Sequence, residues 1–170
     1  VPYVDYIKSD LASTLIATSI NQDETKELLE VFALSNIKFD KVFIKEHPNL
    51  PVKLIIQNSI KSFPSYEIVT GSIANVFEFS DIVLTANGSS VLLEAVAAKK
   101  KTISLISLSV LPMPAIEKSS NLYFVYNHNS LSEVLKKIIS DDSDKNQIIN
   151  LENYLYLDTQ LKLWDKFLKL

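Results

Sequence analysis

The sequence predicts an α/β domain: a parallel sheet of about six strands flanked by helices. Three observations carry this expectation. Short apolar runs alternate with segments of helical length and pattern, as βαβ crossovers require. The runs are continuously apolar rather than alternating, which fits strands covered on both faces. The chain of 170 residues holds only two glycines, Gly71 and Gly88, and each follows a strand-like run. Ligands of open parallel sheets bind beyond the carboxyl ends of the strands, and glycine lets a backbone approach closely there. The plainer reading is that both glycines only close tight turns.

The elements follow in order. Residues 1–12 read as an entry segment. Residues 14–18 (Thr-Leu-Ile-Ala-Thr) are a first strand. Asp23 caps a helix to about Leu34, with Leu28, Leu29, Val31 and Phe32 on its apolar side. Residues 41–45 are the second strand. Pro48 and Pro51 interrupt the chain, and 52–60 is a short helix. Tyr66 to Val69 is a third strand ending at Thr70-Gly71, and Ser72 to Phe79 a short helix. Residues 81–85 are the fourth strand, followed by a helix from Ser89 or Ser90. Residues 102–106 are the fifth strand and Leu122 to Val125 the sixth. Leu131 to Ile139 is a helix capped by Ser130. The domain spans 13–146, with a polar hinge at 140–147, and 147–170 is a C-terminal amphipathic helix. There Tyr154, Leu157, Leu161, Trp164, Phe167 and Leu168 make one apolar face. That face packs either on its own sheet or on a partner domain. The chain begins Val1-Pro2 without an initiator Met and reaches its first strand almost at once, which reads as a fragment of a longer protein.

Composition excludes several classes. A net charge of -3 gives no broad attraction to nucleic acid. The absence of cysteine rules out disulfides and thiolate chemistry. No apolar run is long enough to span a membrane, and no signal peptide is seen, so a cytoplasmic location is expected. No metal site is expected: His47 and His128 are far apart in sequence, and Asp141, Asp142 and Asp144 lack the rest of a calcium loop. No cofactor is implied. All 17 basic residues are lysines. Phosphate must then be met by Lys, His, hydroxyls or backbone N–H groups rather than by a guanidinium fork. The coding bias of an AT-rich genome would leave the same composition.

Two polar segments carry the functional reading. Lys45-Glu46-His47-Pro48 follows the second strand, and Asn87-Gly88-Ser89-Ser90 follows the fourth and opens a helix. A strand, a glycine turn and a helix start lined with hydroxyls form a natural anion site. Placed side by side, the two strand ends would hold a phosphate-bearing ligand. A protonated His47 can bind a phosphate oxygen and stabilise charge on a departing nucleotide. Each residue also has a structural reading. His47 can bond a local carbonyl, Ser89 and Ser90 can simply cap the helix, and Glu94 can be a solvated carboxylate. His128 reads as a loop residue. Lys99-Lys100-Lys101 reads as a helix end complementing the dipole, or else as a contact for anionic lipid or polymer.

Lys45-Glu46-His47-Pro48 after a strand, followed by Gly88-Ser89-Ser90-Val91-Leu92-Leu93-Glu94-Ala95, resembles the C-terminal, donor-binding half of GT-B glycosyltransferases. The likeness is to bacterial surface-polysaccharide enzymes with HP and SS motifs: sialyltransferases, polysialyltransferases and Kdo transferases. It covers roughly residues 13–140. It implies a Rossmann-like sheet, one half of a GT-B fold, and a CMP-activated sugar as donor. It implies His47 as the catalytic group and donor-phosphate ligand, with Lys45, Gly88, Ser89 and Ser90 on the same phosphate. It places Glu94 at the ribose and Thr70 and Gly71 at the base. It further implies an N-terminal acceptor-binding domain that supplies the catalytic base, and it is compatible with peripheral attachment at the inner face of a membrane. Where such sequences usually read small-Gly-x-Pro after Glu94-Ala95, this one has Lys99-Lys100-Lys101-Thr102. Two alternatives share the architecture: a UDP-sugar 2-epimerase-like or polyol-phosphate transferase domain, and a non-catalytic interaction domain.

Overall fold

The computed structural model describes residues 13–87, 89–107 and 121–140. The entry segment, Gly88, the acidic loop and the 147–170 segment lie outside these residues. Six strands form one sheet in the order β3-β2-β1-β4-β5-β6. They are β1 (Ser13–Ala17), β2 (Lys41–Lys45), β3 (Glu67–Ile68), β4 (Ile82–Ala86), β5 (Lys101–Leu105) and β6 (Leu122–Val125). Every pairing is parallel. The helices are α1 (Gln22–Leu34), α2 (Val52–Ser59), α3 (Ile73–Phe77), α4 (Val91–Ala97) and α5 (His128–Ser140). This is the expected Rossmann-like α/β fold.

The sheet is covered on both faces, which explains its unbroken apolar runs. Ile16, Ile44, Ile82, Leu84, Ile103 and Leu105 pack with α1, α2 and α5. Leu15, Phe43 and Val83 point the other way, against Val76 and Phe77 of α3 and Ala95 of α4. Side chains alternate along each strand, so one strand serves two cores. Reciprocal bonds fasten the lower end of the sheet: the Ser13 N–H donates to an Asp81 carboxylate oxygen and the Asp81 N–H to the Ser13 carbonyl.

Two predicted caps shift. Asn21, not Asp23, caps α1: its Oδ1 accepts from the N–H groups of Asp23 and Glu24. Asp23 and Glu24 instead sit in the first turn, where carboxylates complement the dipole. Helix α5 starts at His128, so this residue opens a helix rather than sitting in a loop. Ser130 lies inside its first turn. Asn127 Oδ1 accepts from the Ser130 N–H and Ser130 Oγ from the Asn127 N–H, the reciprocal arrangement of a capping box.

Candidate functional site

The candidate residues gather at the carboxyl edge of the sheet. Across it run Thr70-Gly71 after β3, Lys45 to Pro48 around the end of β2, Thr18 to Asn21 after β1, and Asn87, Ser89 and Ser90 after β4. The ends of β2 and β4 are not side by side as expected: β1 pairs with both and lies between them. At a strand spacing of about 4.8 Å, the ends of β2 and β4 therefore lie about 10 Å apart. The sheet order reverses at β1 and β4. Helix α1 leaves toward one face and α4 toward the other, which opens a crevice at the switch point.

A tight turn builds the His47 segment. The Leu50 N–H donates to the His47 carbonyl at 2.9 Å, and Pro48 fixes φ at the second position. The Asn49 N–H donates to His47 Nδ1 at 3.3 Å. In the neutral ring that bond leaves the proton on Nε2. The His47 N–H donates to Thr18 Oγ1 at 3.1 Å, and the Thr18 N–H donates to the Lys45 carbonyl at 3.1 Å. Buried Thr18 thus ties the end of β1 to the turn after β2. Glu46 is occupied within the fold, where its Oε2 accepts from the Val52 N–H and opens α2, since Pro51 offers no capping side chain. The half-buried Lys45 makes no ion pair among the described residues.

At the end of β4, Ser89 Oγ accepts from the Val91 N–H at 3.3 Å, so Ser89 does the capping. The exposed Ser90 makes no side-chain bond to the helix start. Glu94 is exposed, one turn along α4. Gly71 has φ +85°, which an L side chain resists, and a Cβ there would meet nothing within 4 Å. It is needed for the turn's backbone, not for packing space. Thr70 and Gly71 stand exposed beside β3, two strands from β1.

The end of β1 was missed in the sequence. Thr18-Ser19-Ile20-Asn21 follows an apolar run as Asn87 to Ser90 does, but without a glycine to draw notice. It carries the densest network of the edge. Thr25 Oγ1 donates to the Ser19 carbonyl and accepts from the Ser19 N–H, and Ser19 Oγ donates to Glu24 Oε2 at 2.6 Å. Glu24 is only 6% exposed, and its Oε1 has no partner. Asn87, also 6% exposed, has an unpartnered Nδ2. Leaving a buried polar group unpaired costs about 1–3 kcal/mol, more for a charged one. Ser104 Oγ, buried in β5, is also unpartnered.

Among the described residues no group of side chains suits a metal ion, and no helix is long and apolar enough to cross a membrane. A cavity of about 310 Å³ lies at the opposite edge of the sheet, between the C-terminal end of α1 and Ser62 to Pro64.

No family model matches the chain, and neither does any curated protein. Among solved structures, the chain is similar to S. aureus MnaA in its co-structure with UDP. The TM-score is 0.56 at 18% identity, over 78% of this chain and 38% of that one. It is also similar, at TM-score 0.47 and 14% identity, to the glycotransferase of kitacinnamycin, over 82% of this chain and 38% of that one. The chain thus spans well under half the length of either protein. The likeness to MnaA, with the all-parallel sheet, establishes the fold.

Proposed function

We propose that this chain is the nucleotide-sugar-binding domain of a GT-B-type glycosyltransferase or a related sugar-modifying enzyme. One observation carries the reading: His47 Nε2, the Ser89 and Ser90 hydroxyls and Lys45 stand on the same sheet edge, astride the switch between β1 and β4. These donors suit an anionic ligand lying across the strand ends. The co-structure of MnaA with UDP supports the choice of a nucleotide. In this reading His47 donates from Nε2 to a phosphate oxygen and stabilises the charge that grows on the leaving nucleotide. Ser89 and Ser90 hold phosphate at the start of α4, Glu94 takes the ribose hydroxyls, and Thr70 and Gly71 face the base. A second domain supplies the acceptor and the catalytic base, so the chain binds donor without turning it over.

The separation of β2 and β4 bears on which nucleotide. Two linked phosphates can lie between backbones about 10 Å apart, whereas one phosphate meets them only through extended side chains. That favours a nucleoside-diphosphate sugar over the CMP-linked donor of the motif resemblance. It also gives weight to the epimerase-like alternative.

Calorimetric titration with CMP, CDP and UDP, beside His47→Ala, tests this. We expect the diphosphates to bind more tightly than CMP, and His47→Ala to weaken them by about 1.5–3 kcal/mol, the scale of a hydrogen bond to a charged group. Equal binding of CMP and CDP would restore the CMP-linked donor. Binding of no nucleotide would refute the reading.

A further inference from the structure

Glu24 and Asn87 have no role in the reading above, yet among the described residues they are the two buried side chains flanking the switch point that hold an unsatisfied polar atom. Glu24 follows β1 and Asn87 follows β4, and the two strands are adjacent. One Glu24 oxygen is held by Ser19 and the other accepts nothing. The Asn87 backbone is fixed by its bond to the Leu105 carbonyl, while its amide nitrogen donates to nothing. An amide flip would put the oxygen in that place and still leave a buried polar atom alone. An idle acceptor thus lies buried beside the end of β1 and an idle donor beside the end of β4.

The chemistry of the two strand ends is unequal. The β1 end is acidic: Asp23 and Glu24 share the first turn of α1, Asn21 already caps that helix, and no cation pairs with Glu24 among the described residues. Phosphate is repelled there and is left to the donors of the β2 and β4 ends. A group that both donates and accepts can satisfy a lone carboxylate oxygen and a lone amide nitrogen alike. Hydroxyls do so, and a pyranose carries several. The last torsion of a glutamate side chain is soft, so the carboxylate can reorient for a ligand by giving up its Ser19 bond.

We propose that Glu24 and Asn87 form a hydroxyl-reading subsite for the glycosyl part of the ligand, and that it selects an uncharged sugar over one bearing a carboxylate. The inference rests on the nucleotide-sugar reading and deepens it. A sugar carboxylate entering beside Glu24 and Asp23 meets two like charges with no cation between them, so acidic sugars are disfavoured.

The test titrates the 170-residue chain with UDP, UDP-glucose and UDP-glucuronate, which differ only at the sugar. Glu24→Gln and Asn87→Asp are run alongside, and thermal melts of each protein confirm folding. In the unaltered chain, UDP-glucose should bind more tightly than UDP-glucuronate by on the order of tenfold or more. Glu24→Gln keeps the shape and removes the charge, so it should narrow that ratio severalfold. Asn87→Asp adds a charge and should widen it. Three equal ratios would overturn the inference while leaving nucleotide binding in place, as would equal binding of UDP-glucose and UDP-glucuronate by the unaltered chain. Loss of UDP binding itself in the unaltered chain would overturn the underlying reading and this inference with it.

Discussion

Replacing Thr18 by Val tests whether the end of β1 sets the His47 turn. The two side chains are nearly isosteric, so the core loses little volume. What disappears is the acceptor for the His47 N–H at 3.1 Å and a weak, 3.4 Å bond to the Lys45 carbonyl. The Lys45 carbonyl keeps the Thr18 N–H as its donor. The loss is therefore one neutral hydrogen bond plus a partly buried N–H left unpaired, about 1–2 kcal/mol of stability. For a chain of 170 residues that is a fall in Tm of about 2–8 °C. Binding should suffer separately, because in the proposed reading this turn positions the His47 ring. We expect about threefold to tenfold weaker nucleotide binding, with recovery in Thr18→Ser. The double variant Thr18→Val with His47→Ala isolates the route. If Thr18 acts through His47, the double variant binds no worse than His47→Ala alone. Fully additive losses would show that Thr18 does not act on ligand through the ring.

Further outcomes follow from the same contacts. Asn21→Ala should cost about 1 kcal/mol in a urea titration, because the N–H groups of Asp23 and Glu24 lose their cap. Gly71→Ala should cost about 1–2 kcal/mol, all of it backbone strain at φ +85°, since a Cβ meets nothing within 4 Å; a larger loss would mean steric conflict. Leu84→Ala, in the middle of β4 and 1% exposed, should cost about 2–5 kcal/mol. Breaking the Lys26–Glu30 pair, 3.8 Å apart with side chains 46% and 39% exposed, should change stability by about 0.5 kcal/mol or less and fade with salt.

Most of the fold could be read from the chain because period and burial agreed. The runs 41–45 and 122–125 are strands as expected, and the other strands match to within a residue or two. Three kinds of feature were not legible. Caps depend on which side chain reaches an N–H: Asn21 and Asp23 are equally good by type, and only the path of the chain after β1 chooses Asn21. Strand order is not written locally, so His47 and Ser89 looked like neighbours although β1 divides them. A buried glutamate looks like any helix carboxylate until the Ser19 loop folds over it. The HP and SS segments were visible because proline and glycine mark the backbone. The Thr18-Ser19 loop does its bonding with unremarkable residues and left no such mark.

The central place of β1 has a consequence for how the chain folds. Its first partner, β2, follows within one helix, but its other neighbour is far off: Ser13 and its latch Asp81 stand 68 residues apart. A growing chain emerging at about 5–20 residues per second needs roughly 3–14 s to deliver the second partner. Until then the strand at the middle of the finished sheet is an open edge, with its backbone N–H and C=O groups on that side unpaired. We expect the first three strands with α1 and α2 to form an early unit, which β4 completes by adding to that edge. The interval is when the nascent protein is most exposed to mispairing and most in need of a chaperone.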